Sequence, residues 1–266
     1  MEKLQQELGL TLSGDGLKWP DMPGFASKAD ERLHRKQRLA AAYRIFAFYG
    51  LDSGIGGHIT VRDPILTDHF WVNPLGVHFS RICVSDLVLV NHDGQIVEGT
   101  RTINAAAYAI HSSIHRARPD IHAAAHSHSR FSTTFASLGK LLPPITQEAC
   151  SFYRDHALYD GYGGVAADVS EAELIARALG RHKAVICRNH GAFTVGYTVE
   201  EAVFWFLRME RAFEQTLLAW SAGTPVEIDH TTALLAARQV GSHKSGWYSL
   251  MPLMDKILAE QPDCLN

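Results

Sequence analysis

A chain of 266 residues with 46% hydrophobic and 20% charged residues can bury one sizeable core, which excludes a disordered or fibrous protein. A formal net charge of −3 argues against a nucleic-acid partner, and no apolar run approaches the ~20 residues that span a bilayer, so no membrane partner is expected. Four scattered cysteines without a Cys-x-x-Cys pair, and a polar opening from Met1 to Gln5, point to a reducing, cytoplasmic setting.

Residues 1–28 hold Gly9, Gly14, Gly16, Pro20, Pro23 and Gly24 with little periodicity and read as an arm. Asp30 is placed to cap a helix running to about Tyr49, ended by Gly50; its Arg32–Arg38 basic cluster reads as a solvated face. The Gly54-Ile55-Gly56-Gly57 turn leads into a strand, His58–Arg62. Short strands follow at Phe70–Val72 and Leu87–Val90, and His92-Asp93-Gly94 turns into Gln95–Glu98. Thr102 or Asn104 opens a helix to Arg118. Ile121–Ser127 is an apolar strand, and Ser129–Leu138 a short helix. Leu141–Gly164 has the composition of a functional loop. A helix starts at Ser170, a strand covers Ala184–Arg188, and Asn189-His190-Gly191 turns into the return strand Ala192–Gly196. Thr198 caps a long helix to about Ala222, with Glu200 and Glu201 where the dipole favours them. Its Val203–Leu207 stretch is apolar nearly all round, which fits either core packing or an interface. Residues 223–266 read as less regular, an extension packed on the domain of residues 29–222 or at an interface. Strands flanked by helices on both sides give the fold class: an α/β protein, a three-layer α/β/α sandwich around a mixed, mainly antiparallel sheet.

Fifteen histidines call for a search for ligand geometry. His126 and His128 stand two apart at a strand end, so their imidazoles share a face, and ring nitrogens are ready ligands for a divalent metal. His190, in a glycine-flanked turn between apolar strands, projects from a sheet end, where α/β proteins place their sites. Three histidines with an open position are the pattern of a catalytic metal: zinc first, with manganese, iron or cobalt as alternatives. His111 and His115 are spaced i, i+4 without the glutamate of a zincin helix; His115 is expected exposed, and His111 on a helix face that approaches the site. His122 lies too far along the strand to join. His156 is a loop residue placed to contact substrate.

The run from Asn104 through His111 to Ser129, with Arg118-Pro119-Asp120 and His126-Ser127-His128, resembles the core segment of the class II aldolase/adducin family. Gly56-Gly57-His58-Ile59-Thr60-Val61-Arg62 resembles that family's Gly-Asn-x-Ser-x-Arg turn, and Arg188-Asn189-His190-Gly191 its Asn-His-Gly turn. The similarity covers roughly residues 35–220. It implies a zinc-type site on the three histidines, aldol cleavage or epimerisation of small sugars, and a homotetramer. It also places Gly57, His58, Asn73, Gly76 and Gln147 around the substrate.

Two departures matter. Where the sugar-phosphate aldolases read Pro-Ser-Ser-Glu, this chain has Asn104, Ala105, Ala106 and Ala107, and the family's asparagine in the glycine turn is His58. The carboxylate base and two phosphate-gripping hydroxyls are absent, as in the adducin-like branch, so the substrate is expected to carry no phosphate. The base must then come from the 141–164 loop, with Glu148, Tyr153 and His156 as catalytic candidates. The function expected is a metal-dependent lyase-type enzyme (aldolase, decarboxylase or epimerase) acting on a small non-phosphorylated hydroxy-carbonyl compound. The alternative is an adducin-like, metal-binding but non-catalytic scaffold.

Overall fold

A computed structural model describes residues 20–164 and 169–266, so most of the expected 1–28 arm lies outside the described residues. The first helix, α1 (Lys28–Phe48), is capped three residues before the expected position: Ser27 accepts from the Asp30 N–H, and Asp30 and Glu31 sit in the first turn where the dipole favours them. The strands are β1 (His58–Arg62), β2 (His69–Val72), β3 (Val88–Asn91), β4 (Ile96–Glu98), β5 (Ala123–His126), β6 (His156–Tyr159), β7 (Ala184–Cys187) and β8 (Gly191–Gly196). The remaining helices are α2 (Ala105–Ala117), α3 (Arg130–Ala136), α4 (Gln147–Cys150), α5 (Val169–Leu179), α6 (Val199–Ala222), α7 (His230–Val240) and α8 (His243–Glu260).

The eight strands form one sheet in the order β4-β3-β2-β1-β5-β8-β7-β6. Only β6–β7 is parallel; the other pairings are antiparallel, as the mixed, mainly antiparallel expectation has it. Period two sorts the central strands. On β1, Ile59 and Val61 join β5's Ala123 and Ala125 under α1, α6 and α8, in a core with Tyr43, Phe46, Phe206 and Met254. Ala124, Val185 and Phe193 face the other way, against Ile110 and Ile114 of α2 and Ile175 of α5. These are the three layers. The alanines of β5 carry little side chain, so helices on both faces can approach it closely.

Several local expectations change. The 141–164 loop contains α4 and the edge strand β6, whose four residues follow no turn signal. Residues 223–266 form α7, α8 and a 3₁₀ turn; Asp229 accepts from the Thr232 N–H and Ser242 from the Ser245 N–H, both ordinary caps. Val203 and Phe206 enter the first core while Trp205 and Met209 enter a third, with Phe135, Phe152 and Phe213, so two cores within one chain account for α6's all-round apolarity. The basic cluster on α1 is not a solvated face. Arg32 pairs with buried Asp63, Arg35 donates to the Arg62 carbonyl at 2.7 Å, and Arg38 lies 3.3 Å from the buried Glu200 carboxylate. Among the described residues, no helix is long and apolar enough to cross a membrane.

Candidate metal centre

Sheet order places the site. With β1, β5 and β8 adjacent, the start of β1, the end of β5 and the turn into β8 meet at one end of these central strands: His58 pairs across the ladder with His126, and His126 with Phe193. The β7–β8 turn holds Asn189 at φ 60° and Gly191 at φ 139°, both left-handed, which aims His190 back toward His126. His126, His128 and His190 come together with ligand-capable nitrogens all within 4.8 Å of one another. Their ring centroids form a near-equilateral triangle of 5.0, 4.9 and 5.1 Å, with mutual ring angles of 77°, 70° and 86°.

The triad is built to present lone pairs. His126 Nδ1 lies 2.9 Å from the Ala192 carbonyl, which can only accept, so Nδ1 carries the proton and Nε2 is left as a lone pair. That Nε2 is buried and has no partner among the described residues. The ring stacks on Phe193 at 4.0 Å and 8°. Ala192 is also held at its N–H, which donates to Ser132 Oγ at 2.8 Å. Burial holds His126 well below the ordinary imidazole range, helped by His190 and His128; it lowers His128 too and brings His190 down to about 4. All three are therefore neutral at neutral pH, the form that binds metal. A buried, unpaired nitrogen costs free energy unless something satisfies it. The donor set and the orphaned Nε2 fit a divalent ion held by nitrogen.

The triad opens into a cavity of about 480 Å³, lined also by His58, Ile55, Ile110, His111, Thr133, Tyr162, Asn189 and Phe193. Of the expected substrate residues, His58 lines it, and Gly57 at φ 91° makes the approach possible: a Cβ there would meet the His126 carbonyl and Ser127 at 3.3 Å. The others lie elsewhere within the chain. Asn73 shares parity with Trp71, so it faces α1 and accepts from the Tyr43 hydroxyl at 2.8 Å. Gly76 lies in the loop after β2 at φ 80°, outside the cavity lining. Gln147 and Glu148 are on α4, and Glu148 faces a separate cleft of about 810 Å³ with Arg130, Arg208 and Glu210. Tyr153 bonds His230 of α7 at 3.0 Å. His156, the first residue of β6, is buried, accepting from the Leu142 N–H and donating to the Phe152 carbonyl, so it is a structural residue rather than a loop group on the substrate.

His115 is buried, not exposed, with Nε2 2.9 Å from Thr60 Oγ1. His122, near the other end of β5, bonds the Tyr197 carbonyl. One cavity residue had no signature in the sequence. Tyr162, about half-exposed on the cavity rim, is the only phenol in the lining among the described residues, and nothing in its spacing marks it.

A three-layer sandwich with a histidine triad at the strand ends of a mixed sheet defines the class, and the comparison with known proteins agrees. The chain belongs to the class II aldolase and adducin family, its residues 37–217 matching the Class II Aldolase and Adducin N-terminal domain. It is similar to Decarboxylase NovR of Streptomyces niveus, 43% identical over 243 residues and covering 91% of this chain and 90% of that protein. It is 42% identical over 243 residues to the 4-hydroxy-3-prenylphenylpyruvate oxygenase/4-hydroxy-3-prenylbenzoate synthase of Streptomyces roseochromogenus subsp. oscitans, covering 91% and 88%. Among solved structures it resembles L-fuculose 1-phosphate aldolase from Glaciozyma antarctica PI12, with TM-score 0.86, 41% identity, and 92% and 97% coverage. The family is generally dependent on a divalent metal, and these relatives support lyase-type activity.

Proposed function

We propose that this chain is a divalent-metal enzyme of the lyase type that holds its ion, zinc or a neighbouring first-row metal, on His126, His128 and His190. Its substrate is a small, non-phosphorylated hydroxy-carbonyl or 2-oxo acid. The observation that carries the reading is the orphaned His126 Nε2, tautomer-locked beside two other neutral imidazoles at the end of a cavity. An ion there supplies Lewis acidity to a carbonyl or hydroxyl oxygen. The chain's own residues do the rest. Phe193 and Ile110 give the cavity apolar walls that keep water from the reacting carbon, and the Tyr162 phenol on the rim is placed to hand a proton to the carbon released when a C–C bond breaks. No aspartate or glutamate lines the cavity among the described residues, which favours an acid as substrate. The Streptomyces niveus relative is named a decarboxylase, while the Streptomyces roseochromogenus relative, named a phenylpyruvate oxygenase, points to an arylpyruvate and favours a second reading, oxygen-dependent decarboxylation on the same ion.

Elemental analysis tests the centre. The purified protein should carry close to one equivalent of a divalent metal, lost in the His126→Ala/His128→Ala double variant. No metal after reconstitution with zinc, manganese, iron and cobalt would sink the proposal. Carbon dioxide release from phenylpyruvate, followed with and without oxygen, separates the two readings.

A further inference from the structure

Beside the triad, the cavity holds two more buried imidazole nitrogens that no group among the described residues meets, Nε2 of His58 and Nε2 of His111. The two rings stand edge to face at 5.8 Å, and neither belongs to the triad. A polar atom kept dry and unpaired is destabilising, so whatever enters the cavity is expected to satisfy it.

The hydrogen bonds behind His111 decide what kind of group that is. Arg62 NH2 donates to the His115 and Arg118 carbonyls and lies 3.5 Å from His115 Nδ1. A guanidinium has only N–H and positive charge to offer and would repel an N–H turned toward it, so His115 presents a lone pair there and keeps its proton on Nε2. His115 Nε2–H then donates to Thr60 Oγ1 at 2.9 Å. The threonine has a single proton, which it donates to His111 Nδ1 at 2.7 Å. Burial pushes the His111 imidazole down to about 3, so the ring is neutral and carries one proton. With Nδ1 accepting, that proton sits on Nε2, the nitrogen left for the cavity.

We propose that His111 Nε2–H is a hydrogen-bond donor to a carboxylate oxygen of the substrate, and that Arg62, His115 and Thr60 are positioning residues that impose this tautomer. The inference rests on reading the cavity as the substrate site. The absence of any acid from its described lining removes the repulsion a substrate carboxylate would otherwise meet. His111 is thus a donor that selects an acid, not a base standing in for a missing glutamate.

The first test needs neither metal nor substrate. In metal-free protein labelled with ¹⁵N at histidine, long-range ¹H–¹⁵N correlation should show both His111 and His115 as the Nε2–H tautomer. The isosteric Thr60→Val variant should release His111 into a mixture of tautomers. His111 found as Nδ1–H in the unmutated protein overturns the proposal. The second test is calorimetric titration with phenylpyruvate and its neutral methyl ester. His111→Phe should weaken the acid by roughly 10- to 100-fold, the worth of a hydrogen bond to a charged group, and leave the ester within about twofold. His111→Gln, which keeps an N–H near the same place, should recover most of that loss, and neither variant should lose metal. No binding of phenylpyruvate, or binding that His111→Phe leaves unchanged, overturns the proposal. If no metal loads on the triad, the proposed function fails, while the tautomer spectrum and the acid titration of metal-free protein still decide the role of His111.

Discussion

Individual residues set the shape of the site through backbone constraints as much as through side-chain chemistry. Gly57 holds φ at 91° where its α-carbon faces the His126 carbonyl and Ser127, so a methyl group there is opposed by both the dihedral and the neighbours. Gly57→Ala should destabilise the fold by roughly 1–3 kcal/mol, read as a lowered urea midpoint. It should also displace the His126–His128 segment and weaken metal retention. An unchanged midpoint would mean that the turn relaxes freely. One ladder partner of His126 is His58, which lines the cavity with a second kind of buried imidazole outside the triad.

Among elements, the short helix α3 matters most for the site, because its Ser132 holds Ala192 at its N–H and the Ala192 carbonyl in turn fixes His126. Seven residues make a marginal helix on their own. Glu210 of α6 supplies the missing cap: its carboxylate accepts from Ser129 Oγ at 2.7 Å, the Phe131 N–H at 2.9 Å and the Ser132 N–H at 2.7 Å. Burial raises the Glu210 carboxyl, and these three donors pull it back. Glu210→Ala should cost about 2–3 kcal/mol, since charge-assisted capping bonds are lost and two backbone donors are left without a partner. Urea denaturation measures the loss; a change below about 0.5 kcal/mol would show that water replaces the carboxylate.

Over the whole molecule, buried neutral histidines make stability depend on pH. His111 ionises only near 3 in the folded state, and burial also holds His115 well below 6.5, whereas both titrate near 6.5 once unfolded. Between pH 6.5 and the folded values the unfolded chain binds more protons, so stability is full above 6.5 and falls as pH drops. Each such group contributes up to about 1.4 kcal/mol per pH unit. The urea midpoint of metal-free protein should therefore fall markedly from pH 7 to pH 5, before most carboxylates titrate. A flat midpoint across that window would show that these rings are already charged or solvated. The C-terminal helices belong to this scale too: Leu250, Met254 and Ile257 of α8 complete the core under α1 and α6.

Much of the architecture was legible in the chain itself, because it rests on short-range rules. Alternation on β1 separates Ile59 and Val61 from His58, Thr60 and Arg62, Thr198 caps α6, and the His-x-His spacing and the Gly-flanked His190 turn are local patterns that survive in any context. Caps at Asp229 and Ser242 were equally readable, but the irregular pattern of residues 223–266 hid the helices behind them. The tertiary structure alone decided that His58 stands across the ladder from His126 and His190 beside it. That placement depends on β1, β5 and β8 lying side by side, a long-range pairing that periodicity does not encode. The same pairing buries His115 against Thr60. The packing of the chain beyond β5 ties Tyr153 to α7, encloses His156 and leaves Tyr162 on the rim of the cavity. Spacing along a strand or helix fixes which way a side chain faces; only the packing of distant segments fixes what it faces.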